Sequence, residues 1–90
     1  MTTDSVAVVG AGRIGVPWGA VLAGERGVPV TYVDIDDDRV AELRAGHTPF
    51  EEPGLADYLE SGVDEGTIEA TTDPTVVADH RYVAITVNAE

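Results

Sequence analysis

Three glycines near the start of this 90-residue chain have a spacing that suits phosphate chemistry. Gly10, Gly12 and Gly15 follow the pattern G-x-G-x-x-G, with Arg13 and Ile14 between the last two. In this pattern the first glycine permits a tight strand-to-helix turn, the second lets the backbone approach a pyrophosphate, and the third lets the helix pack closely on a sheet. The helix start adds free N–H groups and the positive end of a dipole. The segment therefore predicts a phosphate-binding loop.

An acidic residue downstream extends this prediction from phosphate to a dinucleotide. Asp34 stands 19 residues after Gly15, and a carboxylate about 20 residues after such a loop meets the adenosine ribose hydroxyls. A carboxylate accepts hydrogen bonds from the 2′-hydroxyl of NAD but repels the 2′-phosphate of NADP, and residues 35–38 add further acids. We therefore predict NAD as the cofactor. Arg39 is the nearest cation, and its position alone favours a solvated arginine that pairs with nearby acids.

The elements that must position these residues alternate between strand and helix. Apolar and β-branched runs predict strands at residues 5–9, 28–33, 67–72 and 82–87, the third more exposed than the others. Helices are predicted at 13–26, closed by Gly24 and Gly27, and from a cap at Asp36 or Asp37 to Gly46. Two shorter helices are predicted around Leu55 to Leu59 and after Asp73-Pro74, where Asp73 is the cap and Pro74 the first helical residue. This alternation predicts an α/β fold, a partial Rossmann-type parallel sheet of order 3-2-1-4 with helices on both faces.

The first helix and the domain boundaries give two further expectations. Ile14, Trp18, Val21 and Leu22 fall on one side of the first helix, so we expect Trp18 to serve helix packing. We expect residues 1–90 to be one N-terminal NAD-binding domain without strands 5 and 6 of a complete fold. Strand 4 would then expose its edge, which favours a partner: a second copy of the chain or a separate catalytic and substrate-binding chain.

The composition excludes several classes of function. There is no cysteine, so disulfides, thiolate metal sites and cysteine nucleophiles are excluded. Seventeen acids face five bases, all arginine, and the net charge of −12 disfavours binding to nucleic acid or anionic membranes. No apolar run approaches the roughly 20 residues of a membrane span. We expect a soluble cytoplasmic protein, and the missing lysine favours a salt-rich, halophilic setting over a merely acidic surface.

The remaining polar candidates have simpler explanations. Residues 36–38 suit a helix cap and an acidic first turn, and Glu51 and Glu52 suit solvated loop acids. His47 and His80 have no partner at metal-ligand or catalytic-triad spacing, so neither is assigned a role. We predict no metal site and no catalytic residue in this chain.

From about Val6 to Val87 the chain resembles the NAD-binding region of the UDP-glucose/GDP-mannose dehydrogenase family. The resemblance comprises Gly15-Val16-Pro17 after the loop, Asp34-Ile35-Asp36 with Arg39 and Val40, Ala70-Thr71-Thr72-Asp73, and the stretch from Arg44 to Leu55. That stretch is similar to the family's N-x-G-x-x-P-I-x-E-P-G-L, and its Glu52-Pro53-Gly54-Leu55 disfavours other NAD enzymes such as the hydroxyacid or 3-hydroxyacyl-CoA dehydrogenases. Arg13 stands where the family often has an aromatic residue, and Asn88-Ala89-Glu90 replaces the usual Pro-Thr-Pro.

The resemblance implies an NAD-dependent oxidoreductase acting on CH–OH groups, which oxidises a nucleotide sugar's primary alcohol to a carboxylate with two NAD. It also implies that Arg39 approaches the adenosine ribose. The expected cofactor-binding residues are Gly10, Gly12, Arg13, Ile14, Gly15, Asp34 and Arg39. The family's catalytic cysteine, lysine and asparagine have no counterpart here, so we expect no overall turnover by this chain alone. The alternative function is a stand-alone, non-catalytic NAD-binding or regulatory module, or a decayed remnant of a gene.

The charge imbalance gives a testable expectation about stability. Self-repulsion among 17 acids is screened by salt, so the free energy of unfolding should rise between dilute buffer and molar potassium chloride. Thermal unfolding followed by circular dichroism checks this expectation. A melting temperature that stays constant or falls as salt is added would contradict it.

Overall fold

The computed structural model describes residues 4–48 and 50–86. Its four strands are β1 (Val6–Val9), β2 (Val30–Val33), β3 (Ile68–Thr71) and β4 (Tyr82–Ile85). All neighbouring strands are parallel and lie in the order β3-β2-β1-β4. The predicted α/β fold and strand order are confirmed. The predicted end of strand 4 at Val87 lies outside the described residues.

Three α-helices and one 3-10 helix connect the strands. They are α1 (Gly15–Arg26), α2 (Asp37–Arg44), α3 (Leu55–Glu65) and a 3-10 helix at Pro74–Asp79. Asp36 caps α2, since its Oδ1 accepts from the N–H groups of Asp38 and Arg39 at 3.0 and 3.2 Å. Asp73 caps the 3-10 helix through the N–H of Thr75 at 2.9 Å. The Thr75 hydroxyl also donates to the Asp73 carboxylate at 2.7 Å, and this bond and the capping bond lower the pKa of that carboxyl. Both predicted caps are confirmed.

Helices cover the two faces of the sheet unequally. One face carries the main core, where alternate strand residues pack against all three α-helices: Val6, Val8, Val30, Tyr32, Ile68 and Ala70 meet Val16, Ala20, Ala23, Val40, Leu43, Leu55 and Leu59. On the other face the 3-10 helix lies near β2, because His80 at its end bonds to the Thr31 side chain at 2.8 Å. Right-handed crossovers explain this arrangement, since β1-β2-β3 step one way along the sheet and β3-β4 steps back.

The expected packing of the first helix is wrong in one respect. Ile14, Trp18 and Val21 are 66%, 45% and 44% exposed, and only Leu22 of that side packs on the core. The side of α1 toward the sheet consists of small residues instead: Gly15, Val16, Gly19, Ala20 and Ala23. The reason is space, because the Tyr32 ring lies beneath the helix and its hydroxyl donates to the Val16 carbonyl at 2.6 Å. A larger side chain there would hold the helix away from the sheet.

Two strand and helix ends differ from the expected ones for local reasons. Gly27 ends α1 in the left-handed region with φ +65°, and the following Val28 N–H donates back to the Leu22 carbonyl at 3.4 Å. Val28 thus belongs to the helix end, and β2 begins two residues later than predicted. Gly24 lies inside α1 rather than at its end, and a Cβ there would overlap the Tyr58 ring of α3. The prediction that the third strand is more exposed than the others is wrong: in β3 only Glu69 is exposed, whereas Ile68 and Ala70 are buried, and β4 is the more exposed strand.

The outer strand β4 exposes most of its apolar side chains. Tyr82, Val83 and Ile85 are 51%, 47% and 71% exposed, and β1 is the strand that pairs with β4 in the described residues. In the part of the chain that the structure describes, no helix is sufficiently long and apolar to cross a membrane.

The contact of α1 with the sheet predicts whether one substitution, Gly19→Ala, stabilises or destabilises the fold. Gly→Ala at an unobstructed helix position stabilises by roughly 0.5–1 kcal/mol. A Cβ on Gly19, however, would lie 2.8–3.0 Å from the hydroxyl and ring of Tyr32, so Gly19→Ala should destabilise by about 1–3 kcal/mol. Chemical denaturation of the two chains checks this expectation. A variant as stable as the parent, or more so, would show that α1 does not approach Tyr32 this closely.

Candidate dinucleotide-binding site

The glycine-rich turn between β1 and α1 has no room for side chains at two of its glycines. Gly10 has φ +102°, and a Cβ on it would overlap the carbonyl oxygen of Thr86. A Cβ on Gly15 would overlap both the Gly10 carbonyl and the Thr86 hydroxyl. The first and third glycines therefore have the structural roles predicted for them: one makes the turn, and the other brings the helix against the strand ends.

The start of α1 leaves backbone donors at this turn. The first i→i−4 bond of the helix runs from the Val16 N–H to the Gly12 carbonyl at 3.0 Å. The N–H groups of Gly12, Arg13, Ile14 and Gly15 precede it, and such groups have no acceptor within their own helix. The side chains of Arg13 and Ile14 are exposed, so these two residues face away from the core. The turn can therefore bind an anion through its backbone.

Asp34 lies beside this turn at the end of β2. Its Oδ2 accepts from the Ala11 N–H at 2.8 Å, and its Oδ1 accepts from the Asp36 N–H at 2.9 Å. The carboxylate is therefore fixed in orientation and half-buried. Each oxygen has a second lone pair that can accept from another donor. A ligand with two neighbouring hydroxyls suits this arrangement.

An apolar pocket of about 290 Å³ opens directly next to Asp34. It lies at the carboxyl ends of β1 and β2 and is lined by Val9, Gly10, Val33, Asp34, Ile35, Thr72 and Pro74. Ile35 is 94% exposed, which is unusual for a side chain of this size. The pocket can hold a flat apolar ring whose attached sugar lies at the carboxylate.

Arg39 reaches back from α2 to the glycine-rich turn. Its guanidinium donates to the carbonyl of Ala11, the residue whose N–H binds Asp34. Its side chain is 25% exposed and its Nε lies 3.8 Å from a carboxylate oxygen of Glu42. The solvated arginine suggested by position alone is thus only partly correct: Arg39 pairs with an acid, but it also contacts the turn.

Two residues at this site were not among the binding residues predicted from the sequence. The Thr86 hydroxyl donates to the Gly10 carbonyl at 2.7 Å, so the residue after β4 fixes the first glycine of the turn. The Phe50 ring lies near the guanidinium groups of both Arg13 and Arg39. Neither residue type is diagnostic, and only the fold brings them to the loop.

The other polar candidates from the sequence form no catalytic or metal-binding group with the turn in the described residues. His80 bonds to the Val76 carbonyl and to Thr31, both at 2.8 Å, which attaches the 3-10 helix to β2. His47, Glu51 and Glu52 are exposed. Within residues 4–48 and 50–86, no group of three or more metal-ligating side chains is arranged to hold a metal ion.

This fold and this turn define a dinucleotide-binding domain of the Rossmann type. Comparison with known proteins gives its family. Residues 4–89 match the NAD binding domain of the UDP-glucose/GDP-mannose dehydrogenase family, and the chain belongs to that family. NAD is accordingly the cofactor of this domain. The absence of space for side chains at Gly10 and Gly15 and the fixed carboxylate of Asp34 fit this cofactor.

Individual relatives agree with the family assignment. The chain is 39% identical over 74 residues to the UDP-glucose 6-dehydrogenase AglM of Haloferax volcanii. These residues are 82% of this chain and 17% of that protein. It is 36% identical over 83 residues to the UDP-glucose 6-dehydrogenase TuaD of Bacillus subtilis, covering 89% and 18%. The chain thus spans less than a fifth of the length of these relatives.

Solved structures give the same result for the fold. A ternary complex of GDP-mannose dehydrogenase from Pseudomonas aeruginosa superposes with a TM-score of 0.88 at 29% identity, over 94% of this chain and 20% of that one. A UDP-glucose dehydrogenase from Pyrobaculum islandicum gives 0.85 at 28% identity, over 96% and 20%. The four-strand unit is therefore similar to part of these larger enzymes.

The contact between Thr86 and Gly10 predicts a measurable effect on binding. Thr86→Val keeps the shape but leaves the Gly10 carbonyl without its hydroxyl donor, so NAD should bind about five- to tenfold more weakly, as expected for one lost hydrogen bond. Thr86→Ser keeps the donor and should bind nearly as the parent does. Calorimetric titration of both variants checks this expectation. Equal affinity in the valine and serine variants would show that the hydroxyl does not position the turn.

Proposed function

We propose that this domain binds NAD with its adenosine at Asp34 and its pyrophosphate on the Gly10–Gly15 turn, as the cofactor-binding part of a nucleotide-sugar dehydrogenase. The observation that carries the proposal is the hydrogen bond from the Ala11 N–H to Asp34 Oδ2, 2.8 Å long. It places a carboxylate that suits ribose directly beside a turn that suits phosphate. Ribose and pyrophosphate have this same adjacency in the dinucleotide.

Recognition of the ribose rests on Asp34. Two backbone N–H groups hold its carboxylate, and the remaining lone pairs accept from the 2′- and 3′-hydroxyls. A 2′-phosphate would meet this negative charge together with Asp36, Asp37 and Asp38 in the next turn. The same residues that bind NAD thus disfavour NADP. Arg39 lies at the adenosine end, in keeping with the implied role of the matching family position.

The adenine ring occupies the apolar pocket between β1, β2 and the segment after β3. Ile35 and Pro74 lie on its sides, and a ring bound there would cover the almost fully exposed Ile35. Burial of apolar surface supports binding in such a pocket. The pyrophosphate then lies on the N–H groups of Gly12 to Gly15, with Arg13 next to it.

The family and the relatives' names support a reaction for the whole protein. We propose that it oxidises the primary alcohol of a nucleotide sugar to a carboxylate and that this domain holds and orients the cofactor. NAD, when bound, supplies the hydride acceptor. None of the described side chains is proposed as a catalytic residue. The acidic, lysine-free composition supports a salt-rich cytoplasm as the setting.

Calorimetric titration with NAD and NADP in molar potassium chloride tests the proposed function. The chain should bind NAD saturably and NADP at least tenfold more weakly, because the 2′-phosphate is repelled by Asp34. Asp34→Asn should lose most of this preference, and Gly12→Val should weaken binding of both nucleotides by obstructing the backbone approach.

Asp37→Asn is the matched control for charge. It removes one negative charge from the neighbouring first turn of α2 but leaves the carboxylate at the end of β2, so the variant should bind NAD nearly as the parent does. A folded chain that does not bind NAD would refute the proposal. Equal losses in Asp34→Asn and Asp37→Asn would show that net charge, and not ribose recognition, governs binding.

A further inference from the structure

The ring of Phe50 lies beside two arginines that belong to different elements. The guanidinium carbon of Arg39 is 5.0 Å from the ring centroid and that of Arg13 is 5.9 Å from it. Both distances fall within the range of about 6 Å at which a cation is attracted to an aromatic face. Arg13 belongs to the glycine-rich turn, Arg39 to α2, and Phe50 to the segment before α3. One ring therefore joins three segments at the predicted phosphate position.

The surroundings of these arginines are strongly acidic. Only five of the chain's residues are basic, against 17 acids, and two of the five lie against Phe50. Glu42 is 3.8 Å from Arg39, and Glu51 and Glu52 line the same pocket as Arg13. Without another restraint, an exposed arginine in this setting would pair with one of these carboxylates.

A cation–π contact holds an arginine differently from a salt bridge. It uses the attraction between the positive charge and the ring face, and it leaves the guanidinium N–H groups available to another acceptor. Phe50 has no charge, so it does not neutralise the arginine that it holds. Arg39 meanwhile donates to the Ala11 carbonyl, within the turn itself. The contacts therefore keep two positive charges next to the backbone donors of the phosphate site.

We propose that Phe50 is a positioning residue for the pyrophosphate of NAD: its ring holds the Arg13 guanidinium at the glycine-rich turn and away from Glu51 and Glu52. Arg39, which also contacts the ring, is held at the turn by the Ala11 carbonyl and pairs with Glu42. This inference rests on the proposed function, since it assumes the phosphates lie on that turn. Phe50 itself does not contact the phosphates. Its effect passes through the Arg13 guanidinium, whereas Arg39 at the adenosine end keeps its bond to the Ala11 carbonyl, so Phe50 should change affinity for phosphorylated ligands and not for adenosine.

A ring in this position also packs on the core, and that structural role predicts a different pattern. Leucine at position 50 keeps an apolar side chain for packing but has no aromatic face. Tyrosine keeps both. Phe50→Leu and Phe50→Tyr are therefore a matched pair: a purely structural role predicts equal losses for all ligands, and positioning predicts losses confined to the leucine variant and to ligands with phosphates.

The experiment measures the affinity of the chain and both variants for NAD, ADP and adenosine at one fixed potassium chloride concentration. Phe50→Leu should weaken NAD and ADP about fivefold, the size expected for loss of these cation–π contacts, and change adenosine by less than twofold. Phe50→Tyr should match the parent for all three ligands. Adenosine binding, followed by ligand-observed nuclear magnetic resonance, also reports whether each variant is folded.

A double-mutant cycle with Arg13→Gln tests the route of the effect. If Phe50 acts through Arg13, Phe50→Leu should cost less NAD affinity in the glutamine background than in the parent. Three outcomes would each overturn the inference. Phe50→Leu could weaken adenosine as much as ADP, Phe50→Tyr could bind as weakly as Phe50→Leu, or the two substitutions could be strictly additive in the cycle. A parent chain that binds no NAD would refute the proposed function as well. A parent that binds, with an unchanged leucine variant, would refute only the role of Phe50.

Discussion

The hydrogen bond between the Ala11 N–H and the Asp34 carboxylate connects the two halves of the site. It joins the glycine-rich turn after β1 to the end of β2, 23 residues later in the chain. The Ala11 carbonyl accepts a hydrogen bond from Arg39, so one residue of the turn contacts both Asp34 and Arg39. Because these contacts use backbone atoms of Ala11, the positions of Asp34 and Arg39 depend on the conformation of the turn more than on any side chain within it.

That conformation depends on how closely α1 approaches the sheet. Tyr32 lies fully buried under the helix, and its hydroxyl donates to the Val16 carbonyl at 2.6 Å. Burial raises the pKa of this phenol, which favours the protonated form that donates this hydrogen bond. Small residues on the inner side of α1 permit this approach, and the large ones, Trp18 among them, remain on the outside. The exposed apolar side of α1 is thus a consequence of the cofactor turn and not a packing defect.

The sequence predicted the structure correctly at positions where a single structural role requires a particular residue type. Gly10 and Gly15 need space that only glycine leaves, and Asp34 follows at the interval that the βαβ unit sets, so the turn, the carboxylate and the strand order were predictable. Trp18 was not, because periodicity shows which residues share a side of a helix but not which side faces the sheet. The contacts of Thr86 and Phe50 with the turn were not predictable either, although Phe50 lies in the stretch that resembles the family, since 76 and 40 residues separate them from Gly10 and only the fold brings them there.

A chain of net charge −12 that binds a dianionic pyrophosphate must concentrate its few cations at one place. Arg13 and Arg39 do so at the turn, where the start of α1 adds the positive end of its dipole. Arg39 also pairs with Glu42, and the neutral ring of Phe50 contacts both arginines without competing for their charge. At high salt, the long-range repulsion of the phosphates by the acidic surface is screened over a few ångströms. Partly buried contacts at the turn are screened much less, so they persist at salt concentrations that remove the long-range repulsion.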